Sequence, residues 1–368
     1  MKRVVFVVMA NVGLLCAIEG LASAISVAQV AAGILRPTAE RVYTAYDPEI
    51  GWTSRPNIFV RDMYGPGVSL RTNAQGFRND EPVPATAPAS RVRVVCSGDS
   101  FTLGYGVSNA EAWCNRLATL DPRLDTVNMG QGGYGVDQAY LWYRRDGTKI
   151  AHDVQLFAFI TDDFARMRGT AFLGYPKPVL TVENGQLHVG NVPVPRRSEL
   201  VVKLHDLAGA MARLRTVELM QSWIRRGPAP TVERPTGRDE TTDPEQPVVA
   251  GVFEALRDLH RKNGSLLVLV YLPTRTDYDD GRSDAWRAFV RAQAERQEIP
   301  LIDLTDALRA VPPQEVGTYF IKPGELPYLR AEGHYTVRGN EFVARTLHQK
   351  LLSIESVSAR MNSRATRP

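Results

Sequence analysis

From about residue 91 onward, short apolar runs alternate with stretches of helical period. Residues 92–96, 124–129, 154–160, 266–272 and 300–304 are mostly apolar or β-branched and read as strands. Between and after them, residues 136–145, 249–262, 286–297 and 337–352 read as helices, the last of them amphipathic. Capping signals sit where such helices must start and stop. Ser108-Asn-Ala-Glu111 is a capping box before a helix through Leu120, Gly264 is a C-cap, and Thr336 opens the closing helix. This alternation predicts a doubly wound α/β sheet of about five parallel strands. The 154–160 run is almost wholly apolar, which places it at the centre of that sheet.

Outside this pattern the chain changes character. Lys2 and Arg3 precede an apolar run over 4–18, and 21–34 continues it after a single interruption at Glu19. A basic end followed by an apolar core predicts export, with 1–36 as a signal-anchor or transmembrane segment and the globular part on the periplasmic side of the cell inner membrane. Ala22-Ser-Ala24 offers the competing outcome, a cleaved signal peptide. Residues 37–90 form an N-terminal extension whose Ala/Pro-rich end, 81–90, reads as a linker, and 91–355 is the main domain. Within it, 178–195 reads as a hairpin excursion around Glu183-Asn-Gly185, and 227–248, rich in Pro, Thr and charge, reads as a mobile loop. Residues 356–368 read as a basic tail.

Composition narrows the function classes. Over 368 residues, 44 Lys and Arg nearly balance 40 Asp and Glu, leaving a net charge of +4 with no basic run interleaved with aromatics, so a nucleic-acid partner is not expected. Three cysteines cannot staple a scaffold, and no Cys/His spacing suits zinc, so a structural metal site is not expected. Cys96 and Cys114 either pair, as export would permit, or stay as two buried thiols.

In a doubly wound sheet, chemistry gathers at the carboxyl ends of the strands. The first strand runs into Gly98-Asp99-Ser100, a tight turn that exposes a hydroxyl. The second runs into Asn128-Met-Gly130-Gln-Gly132-Gly133, where glycines let backbone N–H groups face an anion. That stretch also fits G-x-G-x-x-G, the dinucleotide-binding pattern. It belongs to the second unit of the sheet, however, and the next acidic pair lies about 27 residues beyond Gly135, too late for a ribose-binding carboxylate. The third strand runs into Thr161-Asp162-Asp163. Of six histidines, only His334, two residues after Glu332 and just before the closing helix, is placed by chain order to return to the sheet edge.

These four blocks, in this order after successive strands, resemble the SGNH/GDSL hydrolase family over roughly residues 91–355. The 37–80 segment is similar to the extension that precedes such domains in exported bacterial proteins. The resemblance implies a flavodoxin-like doubly wound sheet and a serine esterase or acyltransferase that needs no cofactor. It implies Ser100 as nucleophile, His334 as general base and acid, and Glu332 as the group that orients His334. The oxyanion hole would comprise the N–H groups of Ser100 and Gly133 and the residue at position 162. The family has asparagine at that last place. Asp162, if ionised, accepts hydrogen bonds and cannot donate one. The expected substrate is a small ester, acetyl above all, on an extracytoplasmic carbohydrate, with water or a sugar hydroxyl completing the reaction. The competing expectation, which Asp162 favours, is a non-catalytic polysaccharide-binding module.

Overall fold

The computed structural model describes residues 42–196, 243–326 and 331–365, together with Arg3 and Met9. Residues 1–38 with 197–241 form one unit and 39–196 with 242–368 another. The fold below is that of the second. The expected membrane segment and most of the expected mobile loop lie outside the described residues. Among the described residues, no helix is long and apolar enough to cross a membrane.

The described part of this unit opens with two antiparallel hairpins, β1 (Thr44–Asp47) with β2 (Gly51–Ser54) and β3 (Phe59–Gly65) with β4 (Val68–Arg71). The sheet domain then opens with β5 (Val92–Gly98), the single helical turn α1 (Ser100–Leu103), α2 (Trp113–Leu120), β6 (Leu124–Gly130), α3 (Val136–Arg145), β7 (Val154–Phe159) and α4 (Thr161–Arg166). A small hairpin, β8 (Ala171–Phe172) with β9 (Tyr175–Pro176), and a longer one, β10 (Val179–Glu183) with β11 (Gln186–Gly190), leave the sheet. It resumes with α5 (Gln246–Asn263), β12 (Leu266–Tyr271), α6 (Asp284–Arg296), β13 (Leu301–Asp303), α7 (Val337–Leu352) and α8 (Glu355–Ala365).

The five-stranded sheet is parallel throughout, in the order β13-β12-β7-β5-β6, with β7 at its centre as its apolar composition requires. Counted along the chain this is 2-1-3-4-5, the flavodoxin-like order, whose switch point lies between β5 and β7. Both faces are covered. On β12, Leu267, Leu269 and Tyr271 pack with α3, α5 and α6, whereas Val268 and Val270 face α2 and α7. The period of two along each strand thus feeds two apolar layers, the reason such strands read as continuous hydrophobic runs. A disulfide between Cys96 and Cys114 ties β5 to α2.

Two segments differ from expectation. The 81–90 stretch is held down rather than left as a free linker. Val83 is buried, Pro84 O accepts from Arg93 Nη1, Ala85 O accepts from Ala151 N at 2.8 Å, and Pro88 O accepts from Arg364 Nη1 at 3.0 Å. Prolines supply no N–H but keep their carbonyls, and these are what the domain engages. The 356–368 tail is helical through Ala365. Val357 and Met361, one turn apart, bury in the α2/α7 layer, and Arg364 Nη2 meets Asp153 Oδ1 at 2.6 Å. A basic composition concealed an i, i+4 apolar pair.

The extension also packs on the sheet domain. Tyr43, Met63, Tyr64 and Leu70 form a third apolar cluster with Leu103, Tyr105 and Ile321. Arg78, only 1% exposed, reaches Leu103 O, Gly104 O, Val107 O and Asn109 Oδ1, the carbonyls where α1 ends and the loop beyond it.

Candidate active site

At the carboxyl end of β5 the chain passes so close to β7 that a Cβ on Gly98 would lie 2.4 Å from Ala158 O; only glycine fits. Asp99 then caps α1, its Oδ1 accepting from Phe101 N at 2.9 Å. Ser100 is the first residue of that helix, so its N–H belongs to the orphan donors that a helix start presents. Its Oγ lies 2.8 Å from His334 Nε2 across 234 residues of sequence.

His334 is fixed from several sides. Its O accepts from Ile321 N at 2.8 Å, and its own N donates to Ala331 O at 3.2 Å. The imidazole lies between Phe101 and Tyr105, with both ring centroids 4.8 Å away and interplanar angles of 29° and 32°. Nδ1 meets Ala331 O at 3.2 Å. A carbonyl can only accept, so Nδ1 carries the proton and Nε2 is the acceptor for the Ser100 hydroxyl. Burial between the two rings pushes the His334 pKa down to about 4, against an upward pull from Asp99. The imidazole is therefore neutral at pH 7, the form a general base needs.

This predicts the pH dependence. The acid limb of kcat/KM on a small ester should have its midpoint near 4. At pH 5.5 the protein should keep nearly its full rate, where an ordinary histidine would leave about a tenth. A limb at 6.5 would show that the ring is solvated in the working protein. The lowered pKa also means that the unfolded chain takes the proton first. The histidine's contribution to stability is thus present above 6.5 and is lost as pH falls from 6.5 through about 4.

Glu332, expected to orient His334, is exposed and makes no hydrogen bond to the imidazole among the described residues. The reason is the tight turn Ala331–His334, with Gly333 at φ +84°, which directs the Glu332 side chain outward and brings the Ala331 carbonyl beneath Nδ1. The charge of Glu332 still raises the pKa of the ring, but less than Asp99 and the Ala331 carbonyl do.

The glycine turn after β6 is joined to β5, the strand that leads into Ser100, with Gln131 N donating to Gly98 O at 3.0 Å. Gly133 has φ +79°, a region that other residues rarely adopt, and a Cβ there would lie 2.9 Å from the Phe172 ring. Among the described residues its N–H carries no hydrogen bond. Such a donor, half-buried beside a helix start, suits a developing negative charge.

The third block separates its two carboxylates. Asp162 is exposed at the start of α4. Asp163 is buried, and its Oδ2 accepts from Ile160 N at 3.1 Å. Arg166 Nη1 joins Asp163 Oδ1 at 2.6 Å, Asp99 Oδ2 at 3.0 Å and Tyr134 O at 3.1 Å, linking α4, the residue before Ser100 and the glycine turn. Burial and the charge of Asp99 push the Asp163 carboxyl up, and Arg166 opposes them. The sequence reading missed Asp99, Asp163 and Arg166 as a unit. The i, i+3 spacing of Asp163 and Arg166 was its visible trace. It also missed Phe101 and Tyr105, which no spacing rule connects to a histidine more than 200 residues away.

Fold and site together define a three-layer α/β protein with a serine–histidine pair at the switch point of its sheet. No family model matches the chain, and no curated protein matches it. Among solved structures it is similar to a lipase/acylhydrolase from Enterococcus faecalis, at 11% identity over 71% of this chain and 96% of that one, TM-score 0.39. It is likewise similar to a member of the lipolytic protein G-D-S-L family from Veillonella parvula, at 16% identity over 72% and 98%, TM-score 0.36. A third similar structure is the acetyl xylan esterase AlAXEase, at 13% identity over 71% and 100%, TM-score 0.37. Identities and TM-scores this low leave the chemistry to be read from this chain's own residues.

Proposed function

We propose that the chain is an exported SGNH-type serine esterase or acyltransferase acting on small acyl esters, acetyl above all, of an extracytoplasmic carbohydrate. The observation that carries this reading is the 2.8 Å contact between Ser100 Oγ and His334 Nε2 at the switch point of a parallel sheet. Ser100 attacks the ester carbonyl while His334 takes its proton. The tetrahedral oxyanion is received by the N–H groups of Ser100 and Gly133. His334 then returns the proton to the leaving alcohol, and water or a sugar hydroxyl releases the acyl group by the same route. The Ala331 carbonyl holds the tautomer, and the negative charge of Asp99 favours the imidazolium that forms. Turnover of p-nitrophenyl acetate by the purified protein tests this reading. A folded chain that neither cleaves the ester nor takes up a fluorophosphonate would favour the polysaccharide-binding module instead.

The third oxyanion position falls to Asp162, whose exposed carboxylate offers no donor. Asp162→Asn should therefore raise kcat by at least about tenfold near neutral pH, since one such donor is worth about 10² to 10³ in rate. Coincident kcat/KM profiles for the two proteins would place residue 162 outside the oxyanion hole.

Export rests on Lys2, Arg3 and the apolar run after them, and the Cys96–Cys114 disulfide suits an oxidising compartment. An alkaline phosphatase fused after Pro368 should be active in intact bacteria. An expressed but inactive fusion would place the domain in the cytoplasm.

A further inference from the structure

We infer that Trp52, in the segment that precedes the sheet domain, is a positioning residue for the oxyanion hole: its indole N–H orients the peptide group that carries the Gly133 donor. This rests on the esterase reading above and assigns that site a part the catalytic motifs do not contain.

Trp52 Nε1 donates to Gly132 O at 3.0 Å, and the residue is 4% exposed. The C=O of Gly132 and the N–H of Gly133 are two ends of one planar trans peptide, so they point in opposite directions. Whatever holds the oxygen therefore aims the hydrogen. This peptide needs holding, because it joins two glycines, and the two torsions that rotate it carry no Cβ to resist. Rotation by half a turn would present a carbonyl lone pair where the substrate's oxyanion must form, turning a donor into a repulsive group. Indole N–H is donor-only. It can accept no N–H from a flipped peptide, so it selects the orientation in which Gly133 N–H faces the opposite way, and it polarises the amide as it does so.

Trp52 is itself anchored. Tyr134 Oη donates to Trp52 O, and the indole packs against Tyr134 and Tyr175 with centroids 5.6 and 5.9 Å away. Its strand is tied to the same turn and to the helix after it. Gln131 Nε2 donates to Ser54 Oγ, and Gln138 Nε2 donates to Ile50 O, each at 2.8 Å. Donors from both sides thus clamp β2 to the glycine turn, and the segment before residue 91 becomes part of the catalytic unit.

The test replaces Trp52 in the full chain with β-(benzothien-3-yl)alanine, which keeps the shape of the ring system and puts sulfur where the N–H was. With p-nitrophenyl acetate, kcat should fall about 10- to 100-fold, somewhat less than for outright loss of an oxyanion donor. KM should stay within about twofold, and the rate of fluorophosphonate labelling should fall with kcat. 7-Azatryptophan, which retains the N–H, should keep kcat near that of the wild type. Should the sulfur analogue fold poorly, Trp52→Phe gives the same reading when kcat is compared with thermal stability. A fall in kcat without KM supports the inference. Wild-type kcat in the sulfur analogue overturns it, as does equal loss in both analogues, which would mark Trp52 as packing alone. If the wild type is inert and unlabelled, the esterase reading fails first and this inference with it; wild-type activity that Ser100→Ala abolishes keeps the two failures apart.

Discussion

Ser100→Ala should lower ester cleavage by at least about 10³-fold and abolish fluorophosphonate labelling, with little change in stability. In the proposed mechanism the rate falls because the hydroxyl is the atom that would form the acyl-enzyme, and members of such a unit act together. His334→Ala should cost about as much, and the double variant no more than either single change, since neither residue works without its partner 2.8 Å away. Stability changes little because the substitution removes one hydrogen bond, worth about 1 kcal/mol, from a ring that keeps its Ala331 contact and its two aromatic neighbours. The checks are kcat on p-nitrophenyl acetate, intact mass after labelling, and thermal unfolding. A Ser100→Ala protein retaining more than a tenth of the wild-type rate would remove Ser100 from the mechanism.

Arg78→Met should destabilise the domain by about 3–5 kcal/mol and weaken activity through α1. The guanidinium is buried among carbonyl oxygens, and its burial holds its pKa below the usual value. Its five donors form a rigid fork that satisfies Leu103 O, Gly104 O, Val107 O and Asn109 Oδ1 together. Methionine fills the volume but leaves Leu103 O and Val107 O with no donor among the described residues, each at about 1–3 kcal/mol, while Gly104 O keeps Val107 N and Asn109 Oδ1 keeps Arg71 N. The loss is partly offset because the charge no longer has to be buried. Arg78→Lys should recover less than half of the loss, since an ammonium has three donors and no fork. Urea unfolding measures the difference. A Met variant within about 1 kcal/mol of wild type would show that water can replace the fork.

The local pattern of the chain determined the elements. The helices at 136–145 and 337–352 occur with the bounds that periodicity implies, and the five strands lie within about two residues of their predicted ends. Strand composition even located β7 at the centre, because only a strand buried on both faces dispenses with alternation. The Ser100–His334 contact and the left-handed turn at Gly133 were legible for a related reason: turns at strand ends need small residues, and chain order alone returns His334 to the sheet edge.

Only the tertiary structure decided what those residues touch. Ser108-Asn-Ala-Glu111 could announce a helical turn because a capping box acts within four residues. That turn is the short 3-10 helix Asn109–Glu111, however, and α2 starts separately at Trp113 after the extended Ala112 rather than running on from the box. The imidazole's partner could not be read that way. A carboxylate two positions from His334 looked sufficient, yet the turn through Gly333 directs Glu332 into solvent and makes a backbone carbonyl the acceptor. Backbone carbonyls have no letter in a sequence. The same holds for Arg166 between Asp99 and Asp163, for Arg78 on three carbonyls, and for Trp52 on the Gly132 oxygen. Burial strengthens such contacts by removing competing water. It is a property of the packed layers, set by residues from every part of the domain at once.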